Sequence, residues 1–207
     1  MSPLNKAQLN QIRDERKEQI LQAALRVFAR RGIAGTKISM IVAEAGVSQG
    51  LFYHYFKSKD EILIALVEQA VEISYNATKS IQDIPISPME KIRLLTQSIL
   101  DEEGKYYFML IHQARMSDDL PDRVMELFAR YNMKAYVALL MPVFEEGMKD
   151  GVIAAADLEE MISCYFSILS GVMVVNAKDP GEYTIPSVDM VMRLFTETGA
   201  NNSEGSR

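Results

Sequence analysis

Residues 36–61 read TKISMIVAEAGVSQGLFYHYFKSKDE, and their spacing decides the fold. Thr36 is placed to cap a helix running to about Ala45, its hydroxyl accepting from a first-turn N–H. Gly46 supplies the left-handed backbone of a tight turn, and Ser48 caps a second short helix. Two helices joined by about three residues that include a glycine make a helix-turn-helix, whose second helix enters the DNA major groove N-terminal residues first. Ser58-Lys59-Asp60-Glu61 is a capping-box pattern that fixes the start of the next helix. The N–H groups at that start, with Lys59, make a phosphate site.

The side chains around the turn suit a DNA face. Gln49 carries a paired donor and acceptor for a base edge, adenine being the natural partner. Gly50 lets the backbone approach closely, and Leu51 is placed to touch a thymine methyl. Tyr53 and His54 offer hydrogen bonds to phosphate oxygens, and Lys37, Lys57 and Lys59 add charge. Ala45, Val47, Phe52 and Phe56 are the apolar counterpart, assigned to a small core. Two readings stay open for Lys57, a phosphate contact or a solvated loop lysine. Tyr53 is assigned to the DNA face and Tyr55 to the core. Arg13, Arg16 and Lys17 alternate with Asp14, Glu15 and Glu18, so a solvated helix face is preferred over a DNA contact there.

The net charge of −6 over 207 residues argues against a nucleic-acid binder only as an average. Residues 1–60 carry ten basic and five acidic groups, a net +5, and the remainder carries 12 basic and 23 acidic, a net −11. The chain is two electrostatic objects, and the first attracts an anion that the second repels. A single cysteine, Cys164, makes no intramolecular disulfide and fits a reducing compartment. The N-terminus lacks an apolar signal region, and the apolar run Met161–Val175 falls short of a roughly 20-residue bilayer span. A cytoplasmic protein without a membrane partner is expected.

Apolar residues recur at three- and four-residue spacing almost throughout, no period-two strand signal is convincing, and the fold class is all-α. The expected helices end near Gly32 and Ala45, then cover a short run after Ser48 and about 58–79, 88–101, 104–115, 121–150, 157–178 and 187–198. Pro88 suits a helix's first turn. Pro142 lies inside the long 121–150 helix, where it marks either a kink or a break between two helices. The segment AKDPGEYTIP is expected to be a loop.

From about Arg16 to Leu66 the chain resembles the DNA-binding domain of the TetR/AcrR family of bacterial transcriptional regulators. The residues that carry the resemblance are Ile20-Leu21-Gln22-Ala23-Ala24, Phe28, Gly32, Thr36, Ile41, Ala45-Gly46-Val47-Ser48, Gly50, Tyr53-His54-Tyr55-Phe56 and Lys57-Ser58-Lys59 with Leu63. Val42 and Leu51 depart from the small residues frequent at those positions. The resemblance implies a three-helix helix-turn-helix domain and a helical C-terminal domain for ligand binding and dimerisation. It also implies that Thr36, Gln49, Gly50, Tyr53, His54 and Lys59 face DNA. The division expected is 1–58 for DNA binding, 59–79 for a connecting helix, 80–200 for ligand binding and dimerisation, and 201–207 for a disordered tail.

Beyond residue 80 the chain holds most of its methionines, consistent with an adaptable apolar pocket. Phe108, Met109, His112, Gln113 and Met116 make one candidate ligand face, and Phe128, Tyr131 and Tyr136 another. Cys164, Ile168, Gly171 and Val175 form a stripe on one apolar helix, and Val188, Val191, Leu194 and Phe195 a stripe on the last. Either the stripes build an isologous four-helix interface, as the resemblance implies, or they pack inside the monomer. Metal sensing is disfavoured because the only histidines, His54 and His112, lie in different domains. No cofactor motif or catalytic constellation stands out, so an enzyme is not expected. The expected protein is a homodimeric, ligand-released repressor that binds a palindromic double-stranded operator and a small apolar or amphipathic effector. The rival is a DNA-bound architectural or cell-division protein on the same fold, whose C-terminal domain binds protein.

Overall fold

The computed structural model describes residues 6–178 and 184–196. Ten α-helices occur there: α1 (Lys6–Gly35), α2 (Ile38–Ala45), α3 (Gln49–Tyr55), α4 (Lys59–Ser80), α5 (Pro88–Leu100), α6 (Glu102–Arg115), α7 (Asp122–Arg130), α8 (Met133–Lys149), α9 (Leu158–Lys178) and α10 (Val188–Arg193). A 3-10 turn, Ile81–Asp83, follows α4, and no strand occurs among the described residues. The class is all-α. The tail at 201–207, the end of the expected 187–198 helix and the centre of the AKDPGEYTIP loop lie outside the described residues.

The helices have local causes. Gly46 closes α2 at φ 65°, with the Val47 N–H on the Val42 carbonyl at 3.0 Å and its own N–H on Ala43 at 3.3 Å. These are the two bonds of a Schellman cap, which needs a left-handed residue at that point. Gly151, at φ 69°, closes α8 in the same way. Ser87 and Glu90 complete a capping box in front of Pro88 at the start of α5. Hydrogen bonds from Ser87 to the Glu90 carboxylate hold its pKa below the usual range.

The chain forms two compact units. The first comprises residues up to Ile73 together with Glu102–Arg130, and the second comprises Ser74–Asp101 and residues from Tyr131 onward. In the first, α1 packs most extensively against α6 and α2. Ile20, Ala24 and Phe28 of α1, Ile41 of α2, Phe52 of α3, Leu63 and Leu66 of α4 and Leu110 of α6 are buried. The first unit therefore takes in α6 and α7, which the division at residue 80 assigns to the C-terminal domain. In the second, Ile92, Leu95, Leu140, Phe144, Ile162, Tyr165 and Leu169 form the core, joined by Val191 and Phe195. Burial raises the Tyr165 phenol pKa, and the Thr96 hydroxyl 3.0 Å away partly offsets this.

Two expected helices change. The 121–150 helix is two, and it breaks at Asn132, whose side chain accepts from Ala135 N–H at 3.1 Å and caps α8. The break does not fall at Pro142, which lies inside α8. The last helix stops at Arg193, so Leu194 and Phe195 lie in a turn. The apolar segment is longer than its sequence run suggests. Leu158–Val175 of α9 is long and apolar enough to cross a membrane by length and composition. Its Ile162, Tyr165, Leu169 and Met173 nevertheless pack into the second unit's core or are buried.

No heavy atom lies within 4 Å of the position a Cβ would take on Gly46, so alanine there tests backbone strain alone. Gly46→Ala should destabilise the protein by about 1 kcal/mol. Urea unfolding checks this, and an unchanged midpoint contradicts the left-handed turn.

Candidate nucleic-acid interface

A seven-residue helix does not persist on its own, because nucleation costs more than so few hydrogen bonds return. Three contacts hold α3. Ser48 Oγ accepts from Leu51 N–H at 3.2 Å. Phe52 is fully buried, with its ring 5.5 Å from Tyr53 and 5.8 Å from Phe56. At the far end Phe56 N–H reaches the Phe52 carbonyl at 2.9 Å.

With Phe52 inward, helical periodicity puts Gln49, Tyr53, Gly50 and His54 on one contiguous arc. All four are exposed, Tyr53 by 49%. Ser48 is exposed as the cap, and Leu51 and Tyr55 are half-buried. The arc is hydrogen-bond-rich and uncovered within its unit, which suits groove readout. Lys37 and Lys57 are exposed beside it.

Two residues differ from expectation. Thr36 is buried, at 2% exposure, and its hydroxyl donates to the Gly32 carbonyl at 2.7 Å. Lys37 takes the N-cap position of α2, with no side-chain cap bond. Thr36 is thus a strut under the kink of α1 at Gly32 (φ 73°, ψ 173°), with no hydroxyl exposed for DNA. Lys59 is half-buried, and its Nζ donates to the Ile33 carbonyl at 3.0 Å, tying the start of α4 to the end of α1. An ammonium keeps two further donors, so a phosphate contact remains open to it. However, the cleft of about 190 Å³ beside it also holds Asp60 and Asp119, whose carboxylates oppose an anion. The Ser58 cap forms, with its hydroxyl accepting from Glu61 N–H at 3.1 Å. The Glu61 carboxylate accepts from the Lys57 N–H at 2.6 Å rather than from Ser58.

Some positioning residues carry no sequence signal. Glu44 pairs with Arg26 at 2.9 Å and Arg30 at 3.5 Å, clamping α2 to α1. Gln19 Nε2 donates to the Ala45 carbonyl at 2.7 Å, at the end of α2. Each spans too many residues for local pattern to reveal.

The candidate ligand residues divide between the units. Phe108, Met109, His112, Gln113, Met116 and Phe128 belong to the first, and Tyr131 and Tyr136 to the second. The Phe108 and His112 rings stack at 6.4 Å, Met109 is buried, and Arg115 covers Phe128 at 4.4 Å. Gln113 Oε1 lies 3.1 Å from the position a Cβ would take on Gly32, and Met116 is 72% exposed. In the second unit, Tyr136 bonds Ser74 Oγ at 2.6 Å and neighbours Tyr75 and Phe166. Tyr75 also meets Tyr131 at 5.1 Å. Sequence reasoning missed Tyr75 and Phe166 because they come from other helices.

Of the candidate dimer residues, Cys164, Gly171, Val175 and Leu194 are exposed within the chain, and Ile168 and Val188 are half-buried. Val191 and Phe195 are corrected: both are buried in their own unit, where the Phe195 ring meets Tyr165 at 5.7 Å. The monomer-internal reading holds for those two. No group of three or more metal-ligating side chains occurs among the described residues.

Residues 20–66 match the profile of the bacterial regulatory proteins of the tetR family. The HTH-type transcriptional regulator YerO of Bacillus subtilis is 26% identical over 91% of this chain and 68% of its own length. The HTH-type transcriptional repressor KstR2 of Mycolicibacterium smegmatis is 28% identical over 66% of each chain. The matched stretches thus span about two thirds of those relatives. A solved regulator from Saccharomonospora viridis, in complex with choline, shares the fold at TM-score 0.66 and 20% identity, covering 87% of this chain and 93% of its own.

Lys59→Met should remove the tie to Ile33 and cost about 1 kcal/mol of stability. Thermal unfolding without DNA measures it, and an unaltered transition would reject the structural role. These findings converge with the α3 geometry on one conclusion: the chain is a DNA-binding transcriptional regulator whose residues 20–66 are similar to the DNA-binding region of the bacterial tetR family.

Proposed function

We propose that the protein is a dimeric repressor that reads a palindromic operator through α3 and leaves it when a small effector binds. The observation that carries this reading is the exposed arc of Gln49, Gly50, Tyr53 and His54, fixed by the buried Phe52 on the other side of the helix. Gln49 reads a base edge, Leu51 packs on a thymine methyl, and Tyr53 and His54 bond phosphates. Ser48, Lys37 and Lys57 flank the arc, and Lys59 adds a phosphate contact from its remaining donors. A repressor among the relatives supports the sign of regulation.

Dimerisation uses the exposed stripe Cys164, Gly171 and Val175 with Leu194, extended by Ile168 and Val188. Small Gly171 allows close approach, and two copies of one patch give an isologous interface. The effector is apolar or amphipathic. Support comes from the aromatic group Tyr75, Tyr131, Tyr136 and Phe166, and a regulator of the same fold solved with choline supports a small molecule as the effector. Phe108, Met109, His112, Gln113, Met116 and Phe128 remain effector candidates. Release requires the effector to bind the DNA-free form more tightly. The protein acts in the cytoplasm, where its operator lies.

Selection of bound duplexes from a random library tests the reading. Gln49→Ala should relax preference at one base pair per half-site, a discrimination of about 1–3 kcal/mol. Tyr53→Ala should weaken all sequences alike. An unchanged preference in Gln49→Ala would remove the direct-readout role. Leu194→Glu should shift the mass in light scattering from twice 23.3 kDa toward 23.3 kDa, and a persistent dimer would place the interface elsewhere.

A further inference from the structure

Arg13 and Lys17 stand four residues apart on α1, one turn from each other on the same stripe. In the fold they line one cleft, of about 270 Å³, with His54 and Tyr55 at the carboxyl end of α3. No acidic residue lines it. Of the three acids that alternate with these bases in sequence, Asp14, Glu15 and Glu18, two are held by other partners. Glu15 accepts from Gln11 at 3.0 Å, and Glu18 from Gln22 at 2.8 Å. The nearby Arg16 is likewise engaged, with Gln19 at 2.7 Å. Arg13 and Lys17 form no ion pair among the described residues, and both are exposed. Lys17 Nζ lies 6.0 Å from the Phe56 ring centroid, a weak hold that keeps the amine beside α3.

The carboxyl end of a helix carries about half a negative charge at most, against two full positive charges here. The cleft therefore stays cationic. Its donors are a guanidinium, an ammonium, an imidazole and a phenol, which suit a tetrahedral oxyanion. Tyr55 is half-buried and lines the cleft, while its neighbour Phe56 is buried.

We propose that this cleft holds a backbone phosphate of the bound duplex, gripped by Arg13 and Lys17 from α1 and by His54 and Tyr55 from α3. The inference rests on the reading that α3 docks on DNA. It extends the footprint to the N-terminal half of α1, beyond the helix-turn-helix itself. A duplex phosphate is favoured over a free anion because His54 belongs to the exposed arc of α3 and the cleft continues that arc. The site sets affinity and register and carries no base information.

The test uses a fluorescein-labelled duplex recovered by selection from a random library, with binding followed by anisotropy across a KCl series. Arg13→Gln and Lys17→Gln keep the aliphatic stems and remove the charges, and a folded state is verified by the urea midpoint. The double variant should flatten the slope of log K against log [KCl] by about 1, with the selected sequence unchanged. Arg16→Gln, outside the cleft, should alter the slope less. An unchanged slope in the double variant overturns the proposal, as does an equal effect from Arg16→Gln. Saturable binding of inorganic phosphate that the double variant loses, with the duplex slope intact, assigns the cleft to a free anion and also overturns it. A wild-type chain that binds no duplex in the selection would defeat the α3 reading as well, a result distinct from the other three.

Discussion

The burial of Phe52 is the constraint on which the rest depends. Seven residues form too few backbone bonds to hold a helix in water, so α3 exists only because this ring is enclosed and both ends are capped. Once Phe52 points inward, the helical period leaves no choice about which residues point out. Gln49, Gly50, Tyr53 and His54 become the exposed face, and Phe56 closes the helix behind them. The Schellman turn at Gly46 sets the angle at which this small helix leaves α2. A regulator of this kind gains its specificity from placing few side chains rigidly, and the rigidity comes from a core on the far side.

That core is larger than a three-helix domain. α6 and α7 belong to the same compact unit as α1–α3, and the unit is cross-tied by polar contacts of long sequence separation. Arg123 of α7 pairs with Glu68 of α4 at 2.6 Å, and Gln22 of α1 reaches Tyr107 of α6 at 3.5 Å. Lys59 holds the Ile33 carbonyl, next to the kink at Gly32 that Thr36 supports from below. The half-exposed ion pairs add little energy singly, so their value is in fixing position. Within this unit the end of α1 is therefore over-determined, which favours a fixed separation between α1 and α3.

Local chemistry was legible in the sequence where the structure depends on neighbours a few residues away. Gly46, Ser48 and Pro88 have their expected roles, and Ser58 caps its helix although the Glu61 carboxylate goes to Lys57, because caps and tight turns are decided within one helical turn. The reading failed where partners come from afar. Thr36 looked like a cap, but its hydroxyl serves Gly32, and the kink that makes this possible is a tertiary feature. The hydrophobic stripe from Val188 to Phe195 gave no hint that Val191 and Phe195 are spent inside the unit and that the helix ends at Arg193. Asn132 breaks the expected 121–150 helix by capping α8, although apolar residues recur on both sides of it. The bases of α1 are solvated, as their alternation with acids implies, but that Arg13 and Lys17 stand beside the end of α3 is visible only in the fold.

The charge division now has a spatial meaning. The excess of positive charge in residues 1–60 includes Arg13 and Lys17 at the edge of α3, while Arg26 and Arg30 share the single carboxylate of Glu44. The account's central claim is that α3 enters the major groove. Methylation interference on a selected duplex tests it most directly, because dimethyl sulfate marks guanine N7 in the major groove and adenine N3 in the minor groove. Methylated guanine N7 within each half-site should block binding, and methylated adenine N3 should leave it intact. Interference confined to adenine N3 would contradict the account.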